Sequence, residues 1–170
     1  MKGKGLLHEG ELAGASVQHP ALSKPHILVV DKDSDLCRLY SEVLTRSGYV
    51  VDIAEDGIVG WKALKARNYS LLITEHDVPV FTGVELVGMA RAAHMDLPVV
   101  MAAERLPAHE LVQNPTLRLA ALLPKPFYLS ELLETVRTAL RTVETPSEKI
   151  VPLRVRLSRP PAIGSRMTAS

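Results

Sequence analysis

The residues able to do chemistry in this chain fall into a few short clusters: Asp31-Lys32-Asp33, Glu75-His76-Asp77, Ala103-Glu104 and Lys125-Pro126-Phe127. Each follows a short apolar run. Charged groups placed directly after buried segments are costly unless they are paired or used. Carboxylates and ammonium groups converging in this way could ligate a hard cation, accept a transferred group, or neutralise one another.

The segment 31-DKDSDLCRLYSE-42 supports two narrower readings, and neither fits. Asp31, Asp33, Asp35 and Glu42 take positions 1, 3, 5 and 12 of a calcium loop. Leu36, however, stands where such a loop needs glycine, and a strand rather than a helix precedes it. Asp31 and Asp33 also match the Asp-x-Asp of haloacid-dehalogenase-like phosphatases, one as nucleophile and the other as general acid. Those enzymes need a later acidic pair, and downstream of Lys125 the only acids before the tail are Glu131 and Glu134, on a helix.

Elements that could position the clusters are legible from periodicity. Short apolar runs, 27-ILVV-30, 49-YVVDIA-54, 71-LLIT-74, 99-VVMA-102 and 119-LAALL-123, alternate with longer amphipathic stretches. That alternation predicts βα units around a parallel sheet, and the unbroken hydrophobicity of the runs suits strands covered on both faces. Leu36, Leu39, Tyr40, Val43 and Leu44 have helical spacing, with Ser34 able to cap the start and Gly48 the end. Residues 58–67, 84–93 and 130–141 give further helices, the last with a stripe of Leu132, Leu133, Val136, Ala139 and Leu140. Between Arg105 and Arg118, Pro107 and Pro115 leave room for only about two helical turns. In an open parallel sheet ligands bind beyond the carboxyl ends of the strands, which is where the charged clusters fall.

With 170 residues the chain has room for one ordinary domain and flanking segments. Twenty Lys plus Arg against 19 Asp plus Glu give a charge of +1, so no nucleic-acid footprint is expected. The single Cys37 excludes an intramolecular disulfide and argues against a cysteine-built zinc site, consistent with a reducing, cytoplasmic setting. No run approaches the roughly 18 apolar residues of a membrane helix, and Leu6-Leu7 is too short for an export signal. Residues 1–25 are expected as a disordered leader, 26–142 as the domain, and 143–170 as a solvated basic tail. The near-zero total hides a division: 12 basic against 15 acidic residues in the domain, net −3, with +1 in the leader and +3 in the tail.

The motifs 27-ILVVD-31, 48-GYVVDIAEDG-57, 71-LLITEHDVPVFTGVEL-86, 97-LPVVMAAE-104 and 125-KPFYLSELL-133 together resemble the receiver domain of two-component response regulators, over 26–142. The resemblance implies a flavodoxin-like, doubly wound α/β fold: a five-stranded parallel sheet of order 2-1-3-4-5 with helices on both faces. It also implies a phosphorelay signalling protein that is not itself an enzyme. Its partner would be a histidine kinase, a phosphotransfer protein or an output protein, met through the fourth helix, fifth strand and fifth helix, with no membrane and no nucleic acid. Residues after Thr142 are too few for an output domain, so a single-domain protein is expected.

Several positions depart from the family's pattern. Receivers accept a phosphoryl group on an Asp at the end of strand three, beside a magnesium ion held by two acids after strand one; here those places are Glu75, Asp31 and Lys32. The phosphoryl-contacting lysine survives as Lys125, before a proline whose bond is often cis. The hydroxyl residue that hydrogen-bonds the phosphoryl falls on Ala103, and the aromatic switch residue on Leu122. Two lysines facing two carboxylates could neutralise the pocket without a cation. The expectation is therefore a degenerate, phosphorylation-independent pseudo-receiver acting by protein–protein contact and resting in one state. On this reading no cofactor is needed; Mg²⁺ enters only if the site still functions, with Asp31 its weak ligand and Asp33 or Asp77 as substitutes, although Asp33 is better placed to cap a helix. The alternative is a working phosphoacceptor using Glu75, Asp77 or His76, the last read as an exposed residue at the site rim. Trp61 and Tyr49 are expected in or beside the core.

Overall fold

A computed structural model describes residues 23–144 together with Arg154 and Val155. The expected leader, and all of the tail apart from those two residues and the end of the last helix, lie outside the described residues.

Five strands and five helices alternate: β1 (His26–Val30), α1 (Ser34–Arg46), β2 (Val50–Ala54), α2 (Gly57–Ala66), β3 (Leu71–Glu75), α3 (Gly83–Ala92), β4 (Val99–Ala103), α4 (Ala108–Gln113), β5 (Ala121–Pro124) and α5 (Leu129–Glu144). A single 3₁₀ turn, Pro115–Leu117, links α4 to β5. The pairing is parallel in the order β2-β1-β3-β4-β5, the expected flavodoxin-like arrangement. A sixth strand, β6 (Arg154–Val155), adds parallel to β5 at that edge and was not foreseen, since the tail reads as solvated.

Strand alternation divides the core into two layers. Leu28, Val30, Leu72, Val99 and Met101 face α2 and α3, where Leu64, Leu86, Val87 and Ala90 meet them. Ile27, Val29, Leu71, Ile73, Val100 and Leu123 face α1 and α5, against Cys37, Tyr40, Leu44, Leu132 and Val136. β3 and β4 are buried at every residue because neighbours flank them and helices cover both faces, whereas β2, at the sheet edge, is largely open.

Element ends follow local chemistry. Asp33, not Ser34, caps α1: its Oδ1 accepts from the backbone N–H groups of Asp35 and Leu36 at 2.9 and 3.0 Å. α1 stops at Gly48, whose φ of +93° is a left-handed conformation that glycine adopts freely. The buried stripe of α1 is Cys37, Tyr40 and Leu44, while Leu39 faces solvent, because the helix sits rotated from the face its leucines alone suggest. Trp61 and Tyr49 are half-buried beside the core, as read from the sequence. α5 buries Leu132, Val136 and Ala139, with Leu133 and Leu140 packed at its margin. The weak stretch between the two prolines forms only α4 and the 3₁₀ turn, and no residue of α4 is buried.

Candidate functional site

Parallel strands end together, so β1, β3 and β5 deliver their last residues to one rim of the sheet. There Asp31 and Glu75 are each 2% exposed. Lys125, which follows β5 three strands from β1 in pairing order, donates from Nζ to Asp31 Oδ2 at 2.7 Å. The same Nζ lies 3.1 Å from Glu75 Oε2, a close ion contact off the axis of a directed hydrogen bond, so this oxygen is buried without an aligned donor. Lys32 Nζ approaches the other oxygen, Glu75 Oε1, only to 3.9 Å, and its side chain is half exposed.

Backbone contacts fix the two carboxylates. The N–H of Asp33 donates to Asp31 Oδ1 at 3.0 Å, and Cys37 Sγ donates to the Asp31 carbonyl at 3.3 Å, tying the end of β1 to the first turn of α1. Beyond β3, the Gly83 N–H donates to the His76 carbonyl at 2.8 Å. A Cβ at Gly83 would collide with the Glu75 carbonyl, so only glycine permits this close return of the chain. Thr82 and Glu85 then form a reciprocal cap that starts α3. The Lys125-Pro126 bond is cis.

Burial and the neighbouring Asp31 carboxylate raise the Glu75 pKa, with the Lys125 ammonium pulling the other way. For Lys125 burial favours the neutral amine, but the bonds to Asp31 and Glu75 outweigh it and raise the pKa, so the side chain stays charged. One buried ammonium thus faces two buried carboxylates, with a second ammonium at the rim.

The remaining sequence-flagged residues divide. Ala103 and Leu122 are buried and bring neither hydroxyl nor aromatic ring to the rim. Asp33 is engaged as the α1 cap, and Asp77 points to solvent. His76 departs from its expected exposure: its side chain is only 12% exposed, with Nε2 3.5 Å from Glu110 Oε1 on α4 and Nδ1 buried without a partner. The Lys125–Asp31 bond was also not anticipated, since the sequence reading set two lysines against two carboxylates without assigning Lys125 to Asp31. Spacing along the chain carries no trace of it, because the partners are 94 residues apart.

Residues 27–137 match the family model described as response regulator receiver domain. The chain belongs to the receiver-domain family. Its relatives include the probable transcriptional regulatory protein SilR of Salmonella typhimurium, 33% identical over 70% of this chain and 52% of that protein. Transcriptional regulatory protein CusR of Escherichia coli K12 is 30% identical over 68% of this chain and 51% of its own length. The chain spans about half the length of these curated relatives. Among solved structures, a CheY-like receiver from Methanospirillum hungatei superposes with a TM-score of 0.68 at 24% identity, covering 72% of this chain and 98% of that one, a likeness of fold.

Receivers that function bind Mg²⁺, and the residues of this receiver do not fit that ion. Lys32 puts an ammonium where a second hard oxygen would stand, Lys125 occupies one oxygen of Asp31, and the Asp33 carboxylate is spent on the α1 cap. The pocket instead holds its carboxylates with its own cations.

Cys37, beneath the site, is fully buried. Burial, with the Asp31 charge nearby, pushes its thiol up from 9.0 to about 11. At pH 8 its thiolate fraction should be about 100-fold below that of an unfolded thiol, so native alkylation by iodoacetamide should be at least that much slower. Equal rates in native and urea-unfolded protein would contradict the burial of this side chain.

Proposed function

We propose that this receiver is a pseudo-receiver: a signalling module that works by protein–protein contact without aspartyl phosphorylation and performs no catalysis. The observation that carries the reading is the position of Lys125 Nζ, 2.7 Å from Asp31 and 3.1 Å from Glu75, where it already holds both carboxylates of the phosphorylation site. In a phosphorylated receiver the matching lysine would meet an oxygen of the added group. Here a built-in carboxylate stands in its place. A Glu in place of Asp also carries its oxygens one methylene further, and displacement on the ångström scale is enough to cost orders of magnitude in transfer rate. Ala103 and Leu122 supply neither the hydroxyl nor the aromatic ring through which a phosphoryl signal would spread, so one resting conformation is favoured.

The alternative acceptors are poorly placed. Glu75 is buried with Lys125 Nζ 3.1 Å from its Oε2, and the free nitrogen of His76 is buried. Asp77 is exposed, with its Oδ1 3.9 Å from His76 Nε2.

A cytoplasmic location goes with the reading. Among the described residues no helix is long and apolar enough to cross a membrane. The partner, a histidine kinase, phosphotransfer protein or output protein, would dock on α4, β5 and α5, where Leu106, Val112 and Tyr128 are exposed.

Incubation with acetyl phosphate, or with beryllofluoride and Mg²⁺, should give no mass adduct and no amide shifts clustered at residues 31–33, 75–77 and 103–125. A stoichiometric phosphoryl adduct that is lost in Glu75→Ala would overturn the proposal.

A further inference from the structure

α4 is six residues long and keeps no side chain fully buried. A helix shorter than about 12 residues is marginal in water and holds only through what it packs against. Its N-cap is Pro107, which provides no side-chain acceptor for the first turn. Only Glu110 and Leu111 of its residues turn inward. Leu111 packs against the core layer under α2 and α3, and Glu110 places Oε1 3.5 Å from His76 Nε2. The chain on either side is fixed. Ala103 ends β4 within the sheet, and Leu117 is buried with its carbonyl accepting from Arg91 Nε at 2.9 Å. Residues 104–116 therefore form a strap between two anchored points, with Glu110 setting its middle on His76.

His76 belongs to the site end of this contact. It follows Glu75, its N–H donates to the Ala102 carbonyl at 3.1 Å, and its own carbonyl accepts from the Gly83 N–H at 2.8 Å, so the ring follows the end of β3. Nε2 faces two carboxylate oxygens, Glu110 Oε1 at 3.5 Å and Asp77 Oδ1 at 3.9 Å, which favours the ring hydrogen at this nitrogen. Nδ1 is buried without a partner. A contact of 3.5 Å beside an unpartnered buried nitrogen leaves α4 incompletely satisfied where it sits. Such an element has two arrangements in reach, seated on His76 or lifted into solvent.

We propose that the His76–Glu110 contact is a latch that seats α4 and carries the state of the β3 end to the partner face, in place of the hydroxyl and aromatic side chains missing at Ala103 and Leu122. His76 is thus a positioning residue for α4. Its service to a partner rests on the proposed function. The latch itself does not.

Hydrogen exchange on the full chain tests it. The N–H groups of Leu111 and Asn114 close the turns of α4 on the Pro107 and Glu110 carbonyls, each at 3.0 Å. Glu110→Ala and His76→Phe, which keeps a ring but no N–H, should each speed exchange at these two amides by roughly fivefold and leave Leu117 unchanged. The double variant should be no faster than either single, since both remove one contact. His76→Gln, which returns an N–H near the place of Nε2, should recover most of the protection. Coupling to the site is read separately: Glu75→Gln, nearly isosteric, should shift the amide resonances of residues 110–112, and by at least about threefold less when combined with Glu110→Ala. Unchanged exchange in the single variants, a multiplied effect of roughly 25-fold in the double variant, no recovery in His76→Gln, or Glu75→Gln shifts that are absent or indifferent to Glu110 would each overturn the proposal. None of these readouts depends on the acetyl phosphate result, so failure of the latch and failure of the pseudo-receiver reading are separable.

Discussion

Lys125→Met is expected to destabilise the domain by about 3–5 kcal/mol, the usual cost of removing one partner from a buried ion pair. Methionine keeps the apolar stem and about the same volume, so the loss is one of charge rather than packing. Asp31 would lose its 2.7 Å donor and Glu75 its 3.1 Å counter-ion, both at sites 2% exposed to water. Lys32 cannot take over, since it is half exposed and 3.9 Å from Glu75. Lys32→Met should therefore cost no more than about 1 kcal/mol, as exposed pairs do. The penalty at Lys125 should also depend on pH. Glu75 already has its folded pKa raised above 4.5, and without the ammonium it rises further. A raised carboxylate pKa gives stability that is present at low pH and lost as pH rises, so the variant should be least stable relative to the native protein near neutrality and recover part of the loss toward pH 5. Urea unfolding of both variants at the two pH values reads this directly. Equal losses at Lys32 and Lys125 would mean that the rim lysine holds the site as much as the buried one.

How much of this was visible in the sequence depends on the range of the interaction. The central strands announce themselves because they are covered on both faces and so are apolar at every residue, as in 71-LLIT-74 and 99-VVMA-102. The cap of α1 was ambiguous between Asp33 and Ser34, since either side chain can accept from the first turn; the geometry of the β1 end chose Asp33. Leu39 was placed in the core by a periodicity that cannot fix how a helix is rotated on its sheet, and it faces solvent. Positions Glu75, Lys32 and Lys125 were recognisable because strand ends in a parallel sheet meet at one rim, but which lysine bonds which carboxylate is set by side-chain reach across the sheet. His76 illustrates the same limit: its burial comes from α4 folding over it, with Glu110 34 residues on. The two-residue strand β6 was not foreseen for a different reason: charge and proline content dominated the reading of the tail.

If the native pocket replaces a metal by Lys32, then restoring oxygen ligands should restore the metal. Lys32→Asp combined with Glu75→Asp leaves three carboxylates, at 31, 32 and 75, against the single ammonium of Lys125. The shortened side chain at 75 also withdraws from Lys125 Nζ and opens the space between β1 and β3 ends. Such a cluster repels itself, so without cation the double variant should be less stable than the native chain. A divalent cation relieves that repulsion and gains hard oxygen ligands. Two unit charges reversed at one position near the ion amount to several kcal/mol even at an effective dielectric constant of about 20, and allowing for the exposure of residue 32 leaves a gain in Mg²⁺ affinity of at least about 100-fold. Through mass action, cation at 100 times its dissociation constant adds about 2.7 kcal/mol to the stability of the protein that binds it. Mg²⁺ should therefore raise the melting temperature of the double variant and leave that of the native chain unchanged, with Ca²⁺ and Na⁺ as controls for charge and ionic strength. An equal rise in the native chain would show that Asp31 and Glu75 already bind the cation and that Lys32 does not exclude it. A double variant indifferent to Mg²⁺ would show that the loss of metal binding lies elsewhere than in these two side chains.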